Sequence, residues 1–253
     1  VVKLYCEPNG NFPHNPEPLK KNLTQLSKKV IDTNADLGIA VDPDVDRLVF
    51  VCENGEIFGE ENTLVACSDY VLEKSPGSTV SNLSSSRALA DITKKHNQIH
   101  FYSAVGEVNV VKKMKECSAV IGGEGNGGVI YPKSHYGRDA IVGIGLLLSI
   151  FGERGLRASQ LLDTYPKYYM IKEKVNISSE LNIDKILKKI TKKYINEKVD
   201  LVDGVRIDFT QSWVQLRKSN TEPIIRIYSE AKTMEKCEEL VKEIETLIKK
   251  IIN

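Results

Sequence analysis

Neither sign of charge dominates this chain: 35 Lys and Arg stand against 34 Asp and Glu, a formal charge of +1 at pH 7. Without an excess positive field, neither nucleic acid nor an anionic membrane is indicated as a partner, and any anion must be met by a local cluster. Cysteine is sparse and unpatterned. Cys6, Cys52, Cys67, Cys117 and Cys237 are odd in number and lack Cys-x-x-Cys spacing, which points to buried or idle thiols in a reducing cytosol. The most apolar stretch, Ala140 to Phe151, is too short to span a bilayer and reads as a buried helix. No internal repeat and no low-complexity linker interrupts the 253 residues, enough for one large domain or two ordinary ones. The chain opens Val1-Val2-Lys3, without a starting Met or a signal-peptide pattern, and this start is read as a cut.

Against that background the segment Asp42-Pro43-Asp44-Val45-Asp46-Arg47 stands out. Apolar runs flank it, Leu37-Gly38-Ile39-Ala40-Val41 before and Leu48-Val49-Phe50-Val51-Cys52 after, both with the character of buried strands. Three carboxylates at alternate positions of a tight loop repel one another unless a cation lies between them. Carboxylate oxygens are the ligands that a hard divalent ion such as Mg²⁺ takes. An EF-hand calcium loop also alternates Asp residues and ends on Glu, as Glu53 does here, but it needs glycine where Arg47 stands and helices where strands are expected.

Around this loop, helix and strand signals alternate. Residues 1–6 are strand-like, 17–31 have helical spacing, and Asn54-Gly55 marks a hairpin that returns as a strand at Ile57. Helices over 60–73, 86–96 and 107–117 alternate with strands over 78–83, 99–103 and 119–121, the pattern of a layered α/β domain with a largely parallel sheet. Helices over 138–151 and 158–164 close it before Pro166. Beyond lie a strand over 168–175, a helix over 184–194, strands over 205–209, 213–216 and 224–228, and an amphipathic helix from about Thr233. The expected fold class is α/β, with a C-terminal α+β domain.

Two further loops carry chemistry. In Ile121-Gly122-Gly123-Glu124-Gly125-Asn126-Gly127-Gly128-Val129 the glycines let a ligand approach the backbone, and Glu124 and Asn126 offer an acceptor and an amide suited to vicinal hydroxyls. Asp139 of Tyr136-Gly137-Arg138-Asp139 can cap the following apolar helix, and Arg138 can face an anion. The third loop, Leu216-Arg217-Lys218-Ser219-Asn220-Thr221-Glu222-Pro223 with Arg226, gathers two guanidiniums, an ammonium, two hydroxyls and an amide, a donor set that fits a phosphate dianion.

In order and context these three motifs resemble those of the α-D-phosphohexomutase family, which includes phosphomannomutase/phosphoglucomutase and phosphoglucosamine mutase. Glu7-Pro8-Asn9-Gly10-Asn11-Phe12-Pro13 resembles the segment before the family's metal loop. The resemblance implies residues 1–58 as the C-terminal part of a second domain with the metal loop, 59–166 as an α/β sugar-binding third domain, and 167–253 as an α+β phosphate-binding fourth. It implies a first domain outside this chain carrying the phosphoserine, since no Ser-His-Asn-Pro loop is present, and hence a fragment inactive by itself. The implied reaction, in a cytoplasmic isomerase, interconverts hexose 1- and 6-phosphates through a sugar 1,6-bisphosphate. Asp42, Asp44 and Asp46 would hold Mg²⁺ and Arg47 would sit beside the transferring group. Glu124 and Asn126 would read sugar hydroxyls, while Arg217, Ser219, Asn220, Thr221 and Arg226 would hold the phosphate that is not reacting. Arg87 is a candidate for the cleft wall. The acidic, hydroxyl-reading and cationic loops are thus expected to meet on one ligand. Several relatives carry Ser and His where this chain has Asn126 and Gly128, which leaves the sugar open among glucosamine, mannose and glucose phosphates. A sugar-phosphate binding module without turnover, or a haloacid-dehalogenase-like phosphatase, are the alternatives.

Overall fold

The structure, a computed structural model, describes residues 1–178, 181–219 and 222–252. The chain divides into two compact units, one of Val1–Tyr102 with Gly106–Pro166 and one of Ser103–Val105 with Lys167–Asn253. Among the described residues no helix is long and apolar enough to cross a membrane.

In the first unit, α1 (Thr24–Asp32) leads into β1 (Leu37–Val41), which pairs antiparallel with β2 (Leu48–Cys52) so that Val41 faces Leu48 across the acidic loop. Every residue of β2 is buried, as its unbroken apolar run requires. A second sheet has the order β4-β3-β5-β6, formed by β3 (Thr79–Asn82), β4 (His100–Ser103), β5 (Ile121–Glu124) and β6 (Gly128–Ile130). β3 and β5 run parallel, and β6 turns back antiparallel on β5. Helices α2 (Glu60–Lys74), α3 (Ala88–Lys95), α4 (Glu107–Glu116), α5 (Ala140–Arg154) and α6 (Ala158–Asp163) accompany the strands. Val80, Val110, Met114, Ala119 and Ile130 form a core between sheet and α4.

Several expectations need correction. Residues 1–6 form no strand, because no described strand lies alongside to take their backbone hydrogen bonds. The return strand after Asn54-Gly55 is reduced to a single bridge between Val51 and Ile57. The strand placed at 119–121 runs instead over Ile121–Glu124, so Glu124 ends a strand and only 125–127 form the turn. Helix α5 is not wholly buried despite its apolar composition: Ile141 and Leu148 keep 64% and 50% of their surface exposed. Asp139 does cap it, accepting from the Ile141 and Val142 N–H groups at 2.8 and 3.1 Å.

The second unit is a five-stranded antiparallel sheet of order β7-β11-β10-β9-β8, comprising β7 (Tyr169–Asn176), β8 (Lys198–Asp200), β9 (Val205–Asp208), β10 (Ser212–Lys218) and β11 (Ile224–Ala231). The short β8 is an element that the sequence reading does not anticipate. One sheet face packs Ile207, Val214, Leu216, Ile225 and Ile227 against Ile186 and Ile190 of α7 (Ile183–Lys193) and Ile244 and Ile248 of α8 (Met234–Ile252). Each such side chain contributes about 1.5–3 kcal/mol relative to exposure. On β9 and β10, residues of opposite parity are polar or aromatic: the Arg206 guanidinium lies 4.2 Å from the Trp213 ring centroid, and Trp213 Nε1 donates to Glu230 Oε1 at 2.7 Å.

Candidate functional site

In the first unit the acidic loop closes tightly because Val45 adopts a left-handed φ of 58° and its N–H returns to the Asp42 carbonyl at 3.1 Å. Asp42 Oδ1 accepts from the Asp46 and Arg47 N–H groups at 3.1 and 2.9 Å, which turns the carboxylates of Asp42, Asp44 and Asp46 toward one another. One ligand oxygen from each lies within 4.8 Å of the others. The flanking elements are strands, so the EF-hand reading fails. Burial, then a hydrogen bond with Asp42, pushes the Asp46 pKa from 3.8 up to about 6, and the Arg138 charge acts the other way. Asp46 Oδ1 is buried without a hydrogen-bond partner among the described residues, with Arg47 Nε 3.8 Å away. Arg47 also reaches Asp42 at 3.6 Å and Glu17 at 3.0 Å.

The glycine hairpin is fastened to this loop. The Leu48 N–H donates to the Gly127 carbonyl at 3.1 Å, and Gly127, at φ 88°, lies so close to Leu48 that a Cβ would strike its carbonyl oxygen. Glu124 is 4% exposed. Its Oε1 accepts from Asn82 Nδ2 at 2.7 Å and the Gly106 N–H at 3.0 Å, and its Oε2 from an Arg138 terminal nitrogen at 2.9 Å. Three donors over about four lone-pair positions leave capacity for a hydroxyl. Asn126 is half-buried and accepts from the Gly128 N–H at 3.1 Å. Ser85 takes the Gly125 N–H at 2.8 Å, and Glu61 takes the Ser86 N–H at 2.8 Å. Arg87 stands half-buried at the start of α3.

The second unit holds a cavity of about 320 Å³ lined by Arg217, Lys218, Ser219, Arg226, Asp184 and Asp203 among others. Asn220 and Thr221 lie outside the described residues. Arg217 faces Arg226 across β10 and β11, and Arg226 faces Lys174 across β11 and β7, so three cations stand in a row on one sheet face. Like charges directly opposite destabilise a sheet unless an anion lies among them. Asp203 pairs with Arg217 at 3.3 Å and Asp184 with Lys218 at 3.3 Å.

The structure therefore gathers Asp42, Asp44, Asp46 and Arg47 in one cluster tied to the Glu124 hairpin, and Arg217, Ser219 and Arg226 around one cavity. Sequence reasoning missed Lys174, which strand register sets beside Arg226, and Asp184 of α7 and Asp203 of the β8–β9 turn, which tertiary packing brings to the cavity. It also missed the part of Asn82, Ser85 and Glu61, and it considered Arg138 only as a residue facing an anion. The proximity of Arg138 to the hairpin in sequence was the available signal.

Consecutive parts of the chain match family models described as phosphoglucomutase/phosphomannomutase alpha/beta/alpha domain II over residues 1–55, alpha/beta/alpha domain III over 60–168, and C-terminal domain over 173–247. A phosphoglucomutase/phosphomannomutase of Thermococcus kodakarensis is 39% identical over 94% of this chain and 53% of its own length. A probable phosphoglucosamine mutase of Methanopyrus kandleri is 34% identical over all of this chain and 56% of its own. The crystal structure of a phosphoglucomutase/phosphomannomutase family protein from Burkholderia thailandensis superposes with a TM-score of 0.84 at 25% identity, over 100% of this chain and 56% of that one. The chain thus spans about half the length of the curated relatives it matches. With domain matches running in order along most of the sequence and relatives more than 30% identical over nearly all of it, the chain belongs to the phosphoglucomutase/phosphomannomutase family, the α-D-phosphohexomutases.

Proposed function

We propose that this chain provides the metal-, sugar- and phosphate-binding parts of a phosphohexomutase acting on glucosamine, mannose or glucose phosphate. Residues 1–58, 59–166 and 167–253 serve as its metal-loop, sugar-binding and phosphate-binding domains. The observation that carries this reading is the gathering of three carboxylate ligand atoms within 4.8 Å in a loop fastened to the Glu124 hairpin.

The donor set suits Mg²⁺: three hard oxygen donors, one of them with a buried orphan oxygen. Asp42, Asp44 and Asp46 would hold the ion, whose positive charge there would offset the negative charge on the oxygens of a transferring phosphoryl group. Arg47 orients that group from beside the loop, and its ion pairs with Glu17, Asp42 and Asp46 fix its own direction. Glu124 accepts from a sugar hydroxyl and Asn126 adds an amide contact. Arg217, Ser219 and Arg226, together with Asn220 and Thr221, grip the phosphate that does not react. Such a reaction needs positioning and charge compensation more than covalent chemistry from the protein, which is what these residues offer.

Calorimetric titration with glucosamine 6-phosphate, mannose 6-phosphate and glucose 6-phosphate in the presence of Mg²⁺ tests this. At least one is expected to bind, with Glu124→Gln and Arg217→Ala each weakening it by about tenfold or more. Failure of the folded parent chain to bind any of the three would overturn the reading.

A further inference from the structure

Arg138 lies outside the acidic loop, the glycine hairpin and the cationic loop, yet it touches the first two at once. It precedes the Asp139 cap of α5, and its aliphatic stem crosses Gly128, where a Cβ would run into its Cδ. Three of its nitrogens donate to carboxylates from three separate places. Nε reaches Glu107 of α4 at 3.1 Å, one terminal nitrogen reaches Glu124 of β5 at 2.9 Å, and the other reaches Asp46 of the acidic loop. The side chain is only 15% exposed. A planar guanidinium with donors on several edges can hold three carboxylates at once; the point charge of a lysine cannot present that fork.

We propose that Arg138 is a positioning residue that acts as the built-in counter-cation of the acidic loop and couples it to the sugar-reading hairpin. Its positive charge on Asp46 competes with a divalent ion for that carboxylate. Its contact with Glu124 holds the same carboxylate where a sugar hydroxyl can meet it. An ion entering the loop repels the guanidinium, which stays anchored by Glu107 and Glu124. The inference rests on the reading of Asp46 as a metal ligand and Glu124 as a hydroxyl acceptor.

Two variants separate this role from a merely structural one. Arg138→Met removes the cation; Gly128→Ala changes no charge but fills the place the arginine stem occupies. Mn²⁺ affinity, followed by electron paramagnetic resonance on the 253-residue chain, should rise by about tenfold in Arg138→Met and by a smaller factor in Gly128→Ala. Affinity for glucose 6-phosphate should fall severalfold in both. Loosened packing alone would lower both affinities, so the opposite signs are the signature. If Arg138→Met does not fold, Gly128→Ala carries the test. A folded variant that binds Mn²⁺ no more tightly than the parent overturns the proposal. If instead the parent itself binds no Mn²⁺, the metal-loop reading fails, and this inference with it. If Mn²⁺ behaves as expected while no hexose phosphate binds the parent, the mutase reading fails, and the competition between Arg138 and the ion stands.

Discussion

Arg217 and Lys218 are neighbours in sequence and both reach the same cavity, yet their environments differ. Arg217 is 28% exposed, braced by Asp203, and stands in the cationic row with Arg226 and Lys174. Lys218 is 51% exposed and leans on Asp184, itself 62% exposed. A guanidinium that is half-shielded and already oriented can offer two parallel hydrogen bonds to a phosphate, whereas a solvated ammonium offers a point charge that water and salt screen. Arg217→Ala is therefore expected to weaken binding of inorganic phosphate by about tenfold or more. Lys218→Ala should change it by less than about threefold. Titration of phosphate against each variant checks this, and equal losses would count against the assignment of the cavity as a phosphate grip.

Among the elements of the first unit, α2, α3 and α5 are joined by one buried carboxylate. Asp69 of α2 is 3% exposed. It accepts from Arg154 at the end of α5 at 3.0 Å and lies 2.8 Å from Nε2 of His96, which closes α3; the Tyr165 hydroxyl donates to it at 3.4 Å. Burial alone would raise its pKa, but the hydrogen bonds from His96 and Arg154 and the Arg154 charge outweigh it and hold the group below its ordinary 3.8. A carboxyl depressed in the folded state adds stability above its unfolded pKa, and that stability is lost as pH falls through the folded value. Asp69→Asn should thus cost about 3 kcal/mol at neutral pH, and the difference from the parent should shrink as the pH drops below about 4. Urea denaturation of both chains at pH 7 and pH 3 measures it; a difference that stays constant would show that the carboxylate's charge is not what joins these helices. None of this network is legible in the sequence. Asp69, Arg154 and Tyr165 lie on segments brought together only by tertiary packing, Asp69 and Arg154 looking like ordinary solvated residues of their helices and Tyr165 like a residue of the turn after α6. By contrast the βα alternation from Glu60 to Ile121 and the stripe along α8 were readable, because their periodicity follows from the one face each element buries. The errors fell where periodicity has no grip: Val1 to Cys6, with no partner strand among the described residues, and the glycine-rich β5, whose strand character comes from pairing with β3 and β6 rather than from its own residues.

For the molecule as a whole, the motifs that could be read from the sequence were those whose chemistry is complete within a few residues. The three aspartates of the acidic loop are close in space because they are close in sequence, and the structure brings their oxygens together as that spacing suggests. The cationic row across β10, β11 and β7 is different, since Lys174 lies about fifty residues before Arg226 in the chain and becomes its neighbour only through strand register. The two chemistries also lodge in different compact units, the acidic loop in the first and the cationic cavity in the second. Each should then bind its simplest ligand through its own residues. Asp44 is an exposed member of the acidic cluster, so Asp44→Asn removes a ligand charge without burying an unpaired group. It is expected to weaken Mn²⁺ binding, measured without phosphate, by about tenfold or more, and to leave inorganic phosphate binding, measured with a chelator present, within about twofold of the parent. Arg217→Ala should do the reverse. If either substitution instead lowered both affinities together in chains that remain folded, the division of metal and phosphate chemistry between the two units would be wrong.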